Sequence, residues 1–205
     1  GVQANWKLDG DTNDSSGNGY NAVTGAPTSY STDFLEGNAS ASFDGNNTIQ
    51  YSDGSFLNDG SSVISIAGWI RPSNLNGQRI IFDEGGSGSG LTLWMDGNTL
   101  TLSTRDGGSQ VNVQASNDLQ LNVWQHVAGI FDNGTLRVYL NGVENSTTAG
   151  YNSIGNHGDE GGLGGIIGGD SAIGNIADNF DGLLDAFVYS NTDVFSKSNI
   201  QADAE

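Results

Sequence analysis

An acidic residue in an apolar strand is the first feature of this sequence that could do chemistry. The run from Gly182 to Ser190 is typical of a buried strand, and Asp185 interrupts its apolar side chains. Strand alternation predicts one face with Leu183, Asp185, Phe187 and Tyr189 and the other with Leu184, Ala186 and Val188. A buried carboxylate without a partner costs several kcal/mol, so Asp185 should meet a cation, hydrogen-bond donors or the rim of the strand. Because the chain has only 6 Lys and Arg residues against 24 Asp and Glu, a metal ion is a serious candidate for that partner.

A second acidic feature is the polar turn from Asp9 to Gly19, which includes Asp14 and Asn18. Such a turn brings several side-chain and backbone oxygens close together, and calcium takes six to eight oxygen ligands of this kind. The same residues are also common in ordinary loops, because Asn, Asp and Gly tolerate left-handed backbone and form side-chain turns. Spacing alone leaves both interpretations open.

Two further stretches could contact a ligand. The glycine-rich segment from Tyr151 to Gly174 carries Asp159, Glu160 and Asp170, which we interpret as polar contacts or as ligands of a second metal. Glycine lets the backbone approach a ligand closely, but the strand-then-helix context of a phosphate-binding loop is missing. Trp94 is predicted to lie on a polar strand face, where it is either covered by a neighbouring loop or exposed as a platform for a ligand.

The elements that position these residues are predicted to be strands. The clearest is the stretch from Asn122 to Gly142, in which two runs of β-forming residues flank Asp132-Asn133-Gly134, a strong hairpin signal. Its apolar residues alternate, so one face of the second arm is expected to be core. Further predicted strands span 4–8, 62–71, 79–82, 110–115 and 182–190, with hairpins pairing 39–43 with 48–51 and 91–95 with 99–104, and a helical turn at 196–202.

Composition limits the function classes. A formal charge of −18 repels nucleic acid and anionic membrane surfaces, so neither is an expected partner. The absence of cysteine excludes disulfides, thiolate metal sites and cysteine nucleophiles. No apolar run approaches the ~20 residues of a membrane span, and no signal-like segment opens the chain, so we interpret it as a module of a longer protein without membrane insertion.

Six motifs then follow one another along the chain at 9–19, 42–45, 67–72, 123–128, 138–142 and 181–190. Together they resemble the laminin-G-like modules of the concanavalin A-like lectin/glucanase superfamily, over nearly all of the sequence. The resemblance implies an all-β fold, a jelly-roll sandwich of two antiparallel sheets, as a single domain over residues 1–205. It also implies a calcium ion where the first polar turn meets the final strand, bound by Asp9, Asp14, Asn18 and Asp185.

Catalysis is not expected. Glucanases of the superfamily carry a Glu-x-Asp-x-(x)-Glu pattern on one strand, and retaining glycosidases need carboxylates about 5 to 5.5 Å apart. The glutamates at positions 36, 84, 144, 160 and 205 form no such pattern, and Asp83 and Glu84 alternate to opposite strand faces. His126 matches the Trp-x-His-Val pattern of the family and is interpreted as structural.

The expected function is therefore that of a calcium-dependent adhesion module that recognises a glycan or a peptide on another cell. The resemblance is strongest to modules of very large, acidic, cysteine-free bacterial surface proteins, which implies an extracellular location. Two alternatives remain open: a spacer that binds only calcium, and an accessory domain of a polysaccharide-degrading enzyme. Sequence does not distinguish them, because specificity depends on loop geometry.

Overall fold

Two facing sheets of eight strands each form the molecule, in a computed structural model that describes residues 1–51, 56–57, 59–158, 160–175 and 177–205. With strands numbered in chain order, the first sheet contains β13 (Val143–Thr148), β12 (Thr135–Leu140), β11 (Gln125–Asp132), β6 (Val63–Pro72), β16 (Asp181–Ser190), β4 (Ser40–Asp44) and β3 (Ser29–Ser31), with β1 (Ala4–Trp6) also paired to β16. The second contains β10 (Ser109–Gln114), β9 (Thr99–Asp106), β8 (Ser89–Asp96), β7 (Gln78–Gly85), β14 (Gly161–Leu163), β5 (Ile49–Gln50) and β2 (Thr24–Gly25), with β15 (Asp178–Asn179) parallel to β7. The predicted all-β jelly-roll sandwich is confirmed.

The hairpin of β11 and β12 is formed as predicted. Its strands pair from Val127 with Leu140 to Asp132 with Thr135. Asn133 and Gly134 both have positive φ, as a two-residue turn that matches the twist of the strands requires. Because β11 also pairs with β6 along its whole length, this local hairpin becomes an inner part of the first sheet.

The core lies between the sheets, and a smaller cluster covers the outside of the first sheet. Val127, Phe131 and Val138 pack inward, whereas Ala128, Ile130 and Tyr139 face outward. The helix α1 (Lys197–Asp203) closes over this outer cluster with Ile200, and the Ser196 side chain caps it by accepting a hydrogen bond from the Asn199 amide. The predicted helical turn is therefore confirmed, and it explains why β6 and β11 are apolar on both faces. No helix in the described ranges is long and apolar enough to cross a membrane.

Two strand predictions were wrong. The segments 39–43 and 48–51 do not form a hairpin, since β4 joins the first sheet and β5 joins the second. The expected alternation of β16 is also broken, because a bulge between Asp185 and Val188 places Ala186 at a φ of 51°. Leu184, Phe187 and Tyr189 consequently face the core, whereas alternation alone would have put Leu184 on the opposite side from Phe187.

Candidate functional site

Asp185 occupies the bulge of β16 and is fully buried. Its Oδ2 accepts hydrogen bonds from the amides of Leu35 and Glu36 at 2.8 and 3.0 Å. Its Oδ1 is buried with no hydrogen-bond partner among the described residues. Burial raises the pKa of Asp185 to about 6, against the lowering effect of the two amides. One carboxylate oxygen therefore lacks the partner that a buried charge requires.

Asp9 and Glu36 lie close enough to Asp185 for their negative charges also to raise its pKa. Asp9 Oδ1 accepts from the amide of Asn38 at 2.9 Å, which ties the end of the first strand to the segment 35–39. Asp9 and Glu36 line a cavity of about 200 Å³ together with Lys7 and the backbone of the bulge at Ala186. The structure thus places Asp9 near Asp185 and adds Glu36, which the sequence did not single out. A ligand role for these residues stays a prediction.

Asp14 and Asn18 take other partners. Asp14 accepts from the amides of Asn5, Ser16 and Tyr20 and from the Ser16 hydroxyl, at 2.7 to 3.0 Å. Burial opposes its ionisation, but these hydrogen bonds outweigh burial and lower the pKa of Asp14. The Asn18 side chain donates to the Gln3 carbonyl at 2.8 Å.

The expected set of four ligands is consequently split into two parts. Asp9 and Asp185 face one region, whereas Asp14 and Asn18 hold the polar turn against the first strand. Within the ranges that the structure describes, no three His, Cys, Asp or Glu side chains are grouped closely enough to hold a metal by themselves. A cation near Asp185 would therefore also need backbone oxygens, which calcium accepts as ligands.

The glycine-rich segment covers the outer face of the second sheet. The amide of Ile167 donates to Asp83 Oδ2 at 3.1 Å, and the amide of Ala172 donates to the Thr92 hydroxyl at 3.2 Å. Ile173 packs on Trp94 and Ile80. Trp94 is only 8% exposed. Of the two alternatives predicted for it, the structure shows the one in which a neighbouring loop covers the ring.

Two acidic residues of the glycine-rich segment contact other residues of the protein. Asp170 Oδ2 accepts from the amide and the hydroxyl of Ser87, at 2.9 and 2.7 Å, which fastens the segment to the turn before β8. Glu160 lies against Gly168, where any side chain would collide with its carboxylate. Asp159 lies outside the described residues. A ligand role for these three acids stays a prediction.

A hydrogen-bonded row of polar side chains, which we call the polar row, continues from Trp94 to the exposed part of the same face. Trp94 Nε1 donates to the Ser103 hydroxyl at 2.8 Å, and that hydroxyl donates to Asn112 Oδ1 at 2.7 Å. Gln110 Nε2 donates to the same Asn112 oxygen at 2.9 Å, and Arg105 Nη2 donates to Gln110 Oε1 at 2.5 Å. Gln110 and Asn112 are exposed, so the row presents fixed amide groups to solvent.

Alternation along β9 and β10 could have located the polar row. Ser103 lies opposite Asn112 in the register of the two strands, and Arg105 lies opposite Gln110. Thr101 lies opposite Trp94 and Ser103 follows it by two residues on the same face, so the partners of Ser103 across the strand pair belong to that face. The missing step was the pairing register, which the Gly107-Gly108 turn sets.

The residues that could have suggested hydrolysis are separated. Glu84 points into the core, where its Oε2 accepts from the Tyr189 hydroxyl at 3.1 Å, whereas Asp83 lies on the outer face beneath the glycine-rich segment. Their opposite orientation is as predicted. His126 is 3% exposed and makes an edge contact with Trp69, with ring centroids 5.1 Å apart.

Comparison with known proteins identifies the fold. The family model Laminin_G_3, described as the concanavalin A-like lectin/glucanases superfamily, matches residues 43–201. No curated protein matches the sequence.

Three solved structures show the same sandwich. Domain 4 of AbnA, a GH43 extracellular arabinanase from Geobacillus stearothermophilus in complex with arabinotriose, has a TM-score of 0.72 at 22% identity, with 100% of this chain and 98% of that chain covered. The botulinum neurotoxin serotype G binding domain has a TM-score of 0.69 at 16% identity, and 100% of this chain matches 50% of it. The CBM40 of a Ruminococcus gnavus IT-sialidase, bound to α2,3 sialyllactose, has a TM-score of 0.64 at 14% identity, with 81% and 96% covered. At these identities the likeness establishes the fold alone.

Proposed function

Because this chain belongs to the laminin-G-like family of the concanavalin A-like lectin/glucanase superfamily, we propose that it is a non-catalytic module that binds a carbohydrate outside the cell. The observation that carries the proposal is the polar row. Sugar hydroxyls need hydrogen-bond donors and acceptors in fixed positions, and the exposed amides of Gln110 and Asn112 are held by Arg105 and Ser103. Groups that are already fixed lose little conformational entropy when a ligand binds.

Arg105 gives the polar row a further property. Its guanidinium donates to three neutral acceptors, the carbonyls of Ala172 and Gly108 and the amide oxygen of Gln110. In the described residues it has no carboxylate within ion-pair distance. The positive charge is therefore available to a polar ligand lying along β9 and β10.

Calcium is the second part of the proposal, and it concerns the other sheet. The unpartnered Oδ1 of Asp185 and the carboxylates of Asp9 and Glu36 are hard oxygen donors of the type that calcium prefers. A cation there would compensate three acidic groups and would join β16, the first strand and the segment 35–39. We assign it a structural role, because these residues lie on the sheet opposite to the polar row.

Similarity to other proteins supports a carbohydrate as the ligand. Two of the similar structures are complexes with a saccharide, arabinotriose in one and sialyllactose in the other. The first is a domain of a polysaccharide-degrading enzyme. An accessory domain of such an enzyme is therefore our second candidate, beside a cell-surface adhesion module.

A glycan array tests the binding function. We expect the chain to retain one class of oligosaccharide, and we expect Asn112→Ala to weaken that retention about three- to tenfold because a fixed hydrogen-bonding group is lost. Gln120→Ala, which removes an exposed amide outside the polar row, is the matched control and should leave retention unchanged. Retention of no glycan, with or without calcium, would instead favour the spacer.

Thermal unfolding tests the calcium site. Calcium at ~100 times its dissociation constant should stabilise the chain by about 2.7 kcal/mol, and chelation should reverse the effect. We expect Asp185→Asn to abolish this calcium response. Asp14→Asn is the informative control: it should lower the melting temperature through lost hydrogen bonds but keep the response. A response that survives in Asp185→Asn and disappears in Asp14→Asn would move the ion to the polar turn.

A further inference from the structure

A groove runs across the outside of the first sheet, on the face opposite to the polar row. It has two sections of about 400 and 190 Å³, which share Ala67, Val188 and Asp203 as lining residues. Ala67 on β6 and Val188 on β16 therefore form a common floor, and α1 provides one wall through Asp203. We call this continuous depression the outer groove.

The larger section of the outer groove is mainly apolar. Phe195 and Ile200 line it from the C-terminal side, and Val2 and Val194 line it at its mouth. Val2 and Val194 are 43% and 41% exposed, although valine side chains of a single domain are usually covered. Exposed apolar residues around a depression are typical of a surface that receives a partner.

The smaller section is acidic and aromatic. Glu36 and Asp203 line it together with Trp69 and His126. In the described part of the chain, neither Glu36 nor Asp203 forms an ion pair, and no Lys or Arg lines either section.

His126 supplies an independent sign of a missing partner. Its side chain is 3% exposed, and its Nδ1 is buried without a hydrogen-bond partner among the described residues. Burial lowers the pKa of His126 to about 4, with the charge of Asp203 opposing the shift, so the ring is neutral at physiological pH. A neutral imidazole does not repel a cation, and one of its nitrogens accepts hydrogen bonds.

We propose that the outer groove binds an extended segment of a partner protein, with a Lys or Arg side chain between Glu36 and Asp203 and an apolar side chain in the section lined by Val194 and Phe195. The two carboxylates compensate the positive charge, and the Trp69 ring offers it an aromatic face. The apolar section favours a peptide over a glycan, because sugar hydroxyls placed there would lose their hydrogen bonds to water. This proposal is independent of the glycan function assigned to the polar row. Because Glu36 also lies at the candidate calcium site, the basic side chain and calcium would compete for its carboxylate.

The test uses fluorescence anisotropy with an array of labelled, acetylated hexapeptides, in buffer with and without calcium. Each peptide carries one Lys or Arg and one Leu at a separation of one to four residues, and a matched array replaces the basic residue with Glu. We expect binding of basic members only, at one preferred separation. A hexapeptide that binds then serves as the probe for the variants.

Two exposed positions of the outer groove make the test specific: Asp203, which lines both sections, and Val194, which lines only the larger one. Asp203→Lys should weaken binding at least tenfold, because it replaces an attractive charge with a repulsive one, and Val194→Asp should weaken it at least fivefold. Asp118→Lys makes the same charge change at an exposed carboxylate outside the groove and should weaken binding less than twofold. Equal losses in Asp203→Lys and Asp118→Lys would reduce the effect to overall charge and overturn the proposal.

Two further outcomes would also overturn it. One is that no basic hexapeptide binds. The other is that Asp203→Lys and Val194→Asp abolish glycan retention while peptides do not bind, which would make the outer groove a sugar site. Unchanged glycan retention in both variants, together with lost peptide binding, is the result expected for two separate sites.

Discussion

Glu84 is a buried residue whose protonation affects stability. It is 1% exposed, and its carboxylate contacts the Tyr189 hydroxyl in the core. Burial raises the pKa of Glu84 to about 8, from an ordinary value of 4.5. Between pH 4.5 and 8 the folded state therefore keeps a proton on Glu84 that the unfolded chain has already lost. Since the group's folded pKa is the higher one, its contribution to stability is complete below pH 4.5 and is lost as pH rises towards 8.

We predict that Glu84→Gln removes this pH dependence. Glutamine keeps an oxygen that can accept from Tyr189, but it does not have to lose a proton, so the variant should be more stable than the wild type at pH 8 by about 4 kcal/mol. Near pH 4.5 the two proteins should unfold at similar temperatures. Melting curves between pH 4.5 and 8 check this. A constant difference at every pH would mean that packing, rather than protonation, separates them.

At the level of elements, the sequence predicted local structure better than long-range pairing. The hairpin of β11 and β12 was predictable because Asn133 and Gly134 specify a turn that pairs adjacent runs. The segments 39–43 and 48–51 are also separated by a glycine-containing turn, yet they join different sheets. Each pairs on one side with a strand earlier in the chain, β3 or β2. On the other side the partners are β16 and β14, which lie more than 100 residues away in the chain, and no local signal identifies them.

The candidate calcium site shows the same limit. Asp185 was singled out as an acid within an apolar run, and Asp9 through the polar turn and the family resemblance. Glu36 was not, since it reaches the site only through the backbone amides that Leu35 and Glu36 donate to Asp185. The bulge was also unpredictable, because Ala186 adopts a positive φ that alanine rarely takes outside such a constraint. Asp14 has a carboxylate that could bind calcium, but its oxygens accept hydrogen bonds from nearby backbone amides instead.

The Asn133-Gly134 turn, which connects β11 and β12, gives a prediction at the level of elements. Gly134 has a φ of 94°, and a side chain there would lie 2.8 Å from the Tyr151 carbonyl. We expect Gly134→Ala to lower the free energy of unfolding by about 2 kcal/mol or more, of which roughly 1–2 comes from the backbone conformation. Chemical denaturation measures this loss.

Gly150 is the matched control for that turn. Its φ is 86°, but no atom lies within 4 Å of a side chain placed there. Gly150→Ala should therefore show the backbone penalty alone, and the difference between the two variants should report the contact with Tyr151. Equal losses would mean that residues 151–152 move away without cost, so that the hairpin is less tightly held than the structure indicates.

For the whole molecule, the dominant property is the charge of −18. Several carboxylates are held by backbone amides rather than by cations, as at Asp9, Asp14, Asp170 and Asp185. Hydrogen bonds of this kind fix loops but do not cancel charge. The folded state therefore keeps most of its acidic groups at close range, and their mutual repulsion opposes compaction.

This repulsion predicts how salt and calcium should act together. Raising NaCl from 0.01 to 0.15 M shortens the screening length from ~30 to ~8 Å, so the melting temperature should rise by a few degrees as repulsion between surface carboxylates weakens. Screening does not supply the missing partner of the buried Asp185 Oδ1, so calcium should add a further rise at constant ionic strength. Magnesium at the same concentration should add less, because it demands a stricter octahedral geometry and releases its water reluctantly. If calcium added nothing beyond the matched NaCl control, its effect would be screening alone, and Asp185 would be a buried acid stabilised only by the amides of Leu35 and Glu36.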